Sequence, residues 1–227
     1  MKMFHDRESA GRELGGRLLA LGLDGAAVVL GLPRGGVPVA CEVAAALGAP
    51  VDVLVVRKLG APSNPELAVG AIAFGGVAVY NEGLLEELGL DEQSIEPIRR
   101  REQAELERRE RVYRGGEPQP DLVGKTVVIV DDGVATGATM EAAVLAARKL
   151  RPRRIVVAVP TAAADAVVRL RHVADEVVAL ATPEPYFGVG AWYSEFPQLT
   201  DRNVLDALAR AVRSNADAAE ATPAQRA

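Results

Sequence analysis

The chain has 227 residues, 49% hydrophobic and 25% charged, with a formal net charge of −5. That suits one large globular domain or two small ones, excludes wholesale disorder, and argues against non-specific nucleic-acid binding, which needs a basic surface. A single cysteine, Cys41, excludes an internal disulfide; two histidines without Cys partners give no zinc site, and no run approaches the ~20 apolar residues of a membrane span.

The opening residues MKMFHDRESAGREL carry acids and no apolar core, so no signal peptide is expected and the cytoplasm is the default location. Ala26–Leu30 reads as a buried strand, followed by a helix over about 36–48 in which Cys41 is a small buried hydrophobe. Val51–Val56 is a second strand. Residues 59–80 are dense in Gly and Pro, which predicts a mobile loop and then a small hairpin. A helical insertion over about 82–114 includes a charged helix from 91 to 114 with Asp91 as N-cap. The spacing offers it the i,i+4 pairs Arg101/Glu105, Glu105/Arg109, Glu107/Arg111 and Glu110/Arg114, and an apolar stripe of Ile95, Ile98, Leu106 and Tyr113. Strands follow at 126–130, 155–159 and 176–180, separated by helices at about 137–150 and 162–172.

Continuous apolar strands alternating with helices predict an α/β fold with a doubly wound, mostly parallel five-stranded sheet. Ligands in such a sheet gather at the carboxyl ends of the strands. Residues 1–214 are read as one domain and 215–227 as a disordered tail.

Val127–Thr139 is the most informative stretch. Four apolar residues deliver Asp131 and Asp132 to the sheet edge, and a turn with Gly133 and Gly137 then feeds a helix through Thr136 and Thr139. A strand exit with a threonine N-cap explains half of this. Backbone N–H groups of Ala135–Thr139 at a helix N-terminus suit a phosphate, and two carboxylates beside them suit a vicinal diol. Together they describe a ribose 5-phosphate. The stretch lacks the Lys of a Walker loop and the GxGxxG of a dinucleotide site.

Val127–Thr139 resembles the phosphoribosyl pyrophosphate motif of the type I phosphoribosyltransferases, and the strand order is similar to that family's over roughly residues 1–200. The resemblance implies that Asp131 and Asp132 hold the ribose hydroxyls and that Ala135, Thr136, Gly137, Ala138 and Thr139 hold the 5′-phosphate. Gly31–Gly36 resembles the family's pyrophosphate loop, so Arg34, Gly35 and Gly36 are expected at the diphosphate, with a cis peptide near Pro33–Arg34. Arg57 and Lys58 resemble the pair that opens the family's flexible catalytic loop.

The reaction so implied is transfer of ribose 5-phosphate from phosphoribosyl pyrophosphate to a heterocyclic, purine- or pyrimidine-like acceptor, with release of pyrophosphate. Mg2+ would be held mainly by substrate and water, with Asp131 or Asp132 as the protein contact. Homodimers are common among such relatives. The alternative is a non-catalytic regulatory protein that binds phosphoribosyl pyrophosphate or a nucleotide.

Aromatic residues are scarce, yet Tyr186, Phe187, Trp192, Tyr193 and Phe196 fall within eleven positions. This segment, about 183–199, resembles the family's hood, which makes Phe187 the first candidate and Trp192 the second for stacking on the acceptor. Ala135 stands where 6-oxopurine members carry an acid, and Trp192-Tyr193-Ser194 where they carry an Asp. Both departures argue against a 6-oxopurine. Glu66 is a candidate acid from the loop.

Overall fold

A computed structural model describes residues 3–73 and 76–221, with the side chains of Glu66 and of 214–221 outside that description. Asp6 opens helix α1 (Arg7–Ala20) through a capping box: Ser9 N–H donates to Asp6 Oδ1 at 2.7 Å and Asp6 N–H donates to Ser9 Oγ at 3.1 Å. There follow β1 (Ala27–Gly31), α2 (Gly36–Leu47) and the short β2 (Val51–Val53). Next come β3 (Val56–Ala61), β4 (Asn64–Ala73), β5 (Val77–Tyr80), α3 (Glu82–Glu87) and α4 (Glu92–Arg114). The rest alternates: β6 (Thr126–Val130), α5 (Ala138–Lys149), β7 (Arg154–Thr161), α6 (Ala164–Leu170), β8 (Glu176–Ala181), a 3-10 turn at Val189–Trp192, and α7 (Asp201–Ala221).

The expected five-stranded parallel sheet is present, in the order β2-β1-β6-β7-β8. Its central strands are buried on both faces. Val127 and Ile129 pack with α5 on one side; Val128 and Val130 pack with α1 and α2 on the other. Strand order reverses between β1 and β6, and their last residues, Gly31 and Val130, lie side by side. The loops that leave these two residues therefore meet at the switch point, where open α/β sheets bind ligands.

Three expectations change. The second strand ends at Val53, and Arg57-Lys58 lies within β3 of a separate antiparallel sheet, β3-β4-β5. The hairpin expected within 59–80 exists as β4–β5, but the segment read as a loop before it is paired strand. Its glycines serve close pairing: a Cβ on Gly70 would stand 2.6 Å from the Val79 carbonyl oxygen. Finally, the tail expected from 215 is helical through Ala221, as its alanines favour, and 222–227 lie outside the described residues. Helix α7 buries Val204, Ala207 and Ala211 in a third core cluster with α4 and the small sheet.

Candidate active site at the carboxyl edge of the sheet

The acid pair follows directly from β6. Asp132 N–H donates to Asp131 Oδ1 at 2.9 Å, and Leu32 N–H donates to the Val130 carbonyl at 2.9 Å, which ties the 32–36 loop to the base of the pair. Gly35 and Gly36 let this loop lie against the acids: a Cβ on Gly35 would be 1.9 Å from Asp132 Oδ2, and one on Gly36 would be 2.7 Å from Asp131 Cα. The Pro33–Arg34 peptide is cis, as the resemblance implied. Burial pushes the Asp131 carboxyl well above the usual carboxylate range, and the neighbouring Asp132 pushes it further. Burial also raises Asp132, against the pull of Arg7, whose Nε donates to Asp132 Oδ2 at 2.8 Å.

Beyond the acids, Val134 is held by the end of β7: its N–H donates to the Thr161 carbonyl and its carbonyl accepts from Ala163, both at 2.9 Å. Gly137 then opens α5 with φ +84°, and no side chain caps the helix. Thr136 and Thr139 are exposed and do not take the capping role. The first-turn N–H groups of α5 are thus left to an external acceptor at the positive end of the helix dipole. A cavity of about 910 Å³ opens beside this turn, lined among others by Lys58, Tyr80, Thr136, Ala138, Glu141 and Arg169.

The three expected cations differ in their engagements. Lys58 is exposed and lines that cavity. Arg57, the preceding residue on the strand, is turned to α4, where Nε and Nη2 donate to Glu102 Oε2 at 2.9 and 2.6 Å. Period-two alternation separates the two neighbours. Arg34 donates to Asp201 Oδ1 at 2.9 Å and to the Leu199 carbonyl at 3.2 Å, and Tyr113 donates to the same Asp201 oxygen at 2.6 Å.

The aromatic segment covers the acid pair. Val189 rests on Gly133, where an added Cβ would stand 2.6 Å from Val189 Cγ1. Buried Tyr193 donates its hydroxyl to the Asp132 carbonyl at 2.5 Å, and its ring packs between Phe4 (5.6 Å) and Phe196 (5.0 Å). Trp192 packs on Tyr186 at 6.1 Å, and its indole N–H is buried with no acceptor among the described residues. Phe187 is 75% exposed, a ring without intramolecular cover. Neither Arg7 nor Tyr193 was singled out from the sequence. Tyr193 stood within the noted cluster, but Arg7 gave no local signal, because its partner lies 125 positions away.

The family model for the phosphoribosyl transferase domain matches residues 18–193. The chain belongs to the phosphoribosyltransferase family. It is 50% identical over 218 residues, 96% of its length, to the Mycobacterium tuberculosis (strain H37Rv) protein named "Putative phosphoribosyl transferase Rv0571c". The chain spans about half, 49%, of that relative's length. The crystal structure of TT1426 from Thermus thermophilus superimposes with a TM-score of 0.85 at 48% identity, covering 92% of this chain and 99% of that one. In this member of the family the matched span holds the acid pair, the 32–36 loop, Arg57-Lys58 and the hood through Tyr193. Arg7 and Asp201, which engage Asp132 and Arg34, lie outside it.

Proposed function

We propose that the protein transfers the 5-phosphoribosyl group from phosphoribosyl pyrophosphate to a ring nitrogen of a heterocyclic acceptor. The observation that carries this reading is the juxtaposition of a half-buried acid pair with an uncapped helix N-terminus at the switch point of the sheet. Asp131 and Asp132 accept hydrogen bonds from the ribose hydroxyls, and the backbone of Ala135–Thr139 takes the 5′-phosphate. The C1′–O bond to the diphosphate breaks as the N–C1′ bond forms, with oxocarbenium character between, and the bond electrons leave with pyrophosphate.

Lys58 is available to the diphosphate, with the Gly35-Gly36 backbone facing it. Arg34 and Arg57 join only by exchanging Asp201 and Glu102 for phosphate oxygens. The donor set suits Mg2+ held mainly by substrate and water, with Asp131 the protein carboxylate free of an arginine partner. Bound Mg2+ supplies neutralisation of the leaving diphosphate. Phe187 offers an uncovered face to a flat acceptor, whereas the buried Trp192 N–H reaches an acceptor only if the hood shifts. A reducing cytoplasmic setting suits the single buried Cys41.

The internal ion pairs of Arg34 and Arg57 favour one second reading, a regulatory protein that binds phosphoribosyl pyrophosphate without turnover. Incubation with phosphoribosyl pyrophosphate, Mg2+ and a panel of nucleobases distinguishes the two. Base-dependent pyrophosphate release is expected for the transferase; release without a base indicates hydrolysis, and binding without release supports the regulatory reading. Asp131→Asn combined with Asp132→Asn should abolish phosphoribosyl pyrophosphate binding by calorimetry, and unchanged affinity would refute the site.

A further inference from the structure

Arg7 has no part in the transfer just described, yet it is buried (6% exposed) in the first turn of α1. Its guanidinium bridges two regions of the cleft. Nε donates to Asp132 Oδ2 at 2.8 Å, on the floor. Nη1 donates to the Pro197 carbonyl at 2.9 Å, and Cζ lies 3.7 Å from the centroid of the Phe196 ring, both in the hood segment. Tyr193 makes a parallel link, with its hydroxyl on the Asp132 carbonyl and its ring against Phe196. Asp132 is therefore gripped at carboxylate and carbonyl by groups that also hold the hood. A planar guanidinium can hydrogen-bond within its plane and stack through its face, which a lysine ammonium cannot do. Buried ion pairs are weak sources of net stability, so the geometry speaks for orientation rather than for stability.

We propose that Arg7 is a positioning residue that locks the hood to the acid Asp132, so that an acceptor on the hood and a ribose on the floor meet in one fixed geometry. What the two surfaces bind rests on the transferase reading; the lock itself does not. Arg7, Phe196 and Pro197 all lie outside the residues matched by the family model, so the assignment comes from contacts of this chain alone.

Trp192 is the chain's single tryptophan and sits in the hood, so acrylamide quenching of its fluorescence reads hood order in the full-length protein. Arg7→Met and Phe196→Leu should each raise the quenching constant about two-fold while far-UV circular dichroism stays native, as expected when a docked segment opens locally. Arg7→Lys keeps the charge without the flat fork and should fall between wild type and Arg7→Met. In parallel, titration with Mg2+ and phosphoribosyl pyrophosphate should show Arg7→Met weakened about ten-fold, a typical cost of losing the group that orients a ligand-binding side chain. Because Arg7 acts through Asp132, the Arg7→Met/Asp132→Asn double variant should bind no more weakly than Asp132→Asn alone.

Unchanged quenching in both Arg7→Met and Phe196→Leu overturns the proposal, as do fully additive losses in the double variant. Should Arg7→Met fail to fold, Phe196→Leu and Arg7→Lys decide the matter by the same fluorescence measurement. If the wild-type protein binds no phosphoribosyl pyrophosphate, the transferase reading falls, and Trp192 quenching alone still decides the role of Arg7.

Discussion

Asp131 is held where burial and a neighbouring carboxylate both resist ionisation. A carboxyl whose folded-state pKa lies above its unfolded value keeps its proton in the fold after the unfolded chain has lost it. Its contribution to stability therefore declines as pH rises from about 4, the unfolded carboxylate value, through the raised folded value. Asp132 acts in the same direction, tempered by Arg7. In chelator, Asp131→Asn should flatten the fall in stability between pH 5 and pH 8 relative to wild type. It should also raise stability at pH 8 by roughly 0.5–2 kcal/mol, the usual size of a stabilising substitution at a strained active site, while phosphoribosyl pyrophosphate binding is lost. Urea titrations at the two pH values give the comparison, and an unaltered slope would contradict the assignment. Gly35→Ala should lose on both counts, because its methyl group would fall 1.9 Å from Asp132 Oδ2. Overpacking of that kind costs about 1–3 kcal/mol, readable in the same titrations, and should weaken ligand binding as well. Burial pushes the Cys41 thiol to about 12, so a disulfide reagent should fail to label it at pH 8 until the protein is unfolded.

Elements recognised from the sequence are those whose cause is local. Helix α4 begins after Asp91, whose side chain accepts from Ser94 N–H at 2.8 Å, and it buries Ile95, Leu106 and Tyr113 as its stripe required. Its ion pairs were less legible. Glu105–Arg109 forms, but Arg114 pairs with Asp52 of β2, and Arg101 with Glu102, because long side chains take partners from other elements and neighbouring positions as readily as from the next turn. The pairing of β3 with that hairpin escaped recognition for a related reason: glycines that permit close strand pairing carry the same letters as glycines that loosen a loop. One strut joins these two elements, Arg57 of β3 to Glu102 of α4. Glu102→Gln should destabilise by about 1–3 kcal/mol, less than a fully buried pair because Arg57 is partly exposed. Chemical denaturation measures the loss, and a change below ~0.5 kcal/mol would mean that the pair is only a surface contact.

At the scale of the molecule, the cleft is completed by segments far from it in sequence. The floor between β1 and β6 was readable from Val127–Thr139, since strand, acids and loop are contiguous. The closure was not. Met3 and Phe4 N–H groups both donate to the Trp192 carbonyl at 3.0 Å, Phe4 packs on Tyr193, and α7 supplies Asp201 to Arg34. No local pattern announces such contacts. Phe4→Ala should cost about 3 kcal/mol, the scale for truncating a buried aromatic, and should raise Trp192 quenching along with the loss of stability. A thermal melt followed by tryptophan fluorescence reports both.

Arg7 and Pro197 are 190 positions apart and in direct contact. During synthesis Pro197 is translated 65 positions after Asp132, and in that interval Asp132 has neither its full set of partners nor a roof. At elongation rates of about 5–20 residues per second, the interval lasts roughly 3–13 seconds. On the transferase reading, a chain released before Pro197 is translated has its acid pair without the hood contact of Arg7, and should bind phosphoribosyl pyrophosphate more weakly than the full-length protein.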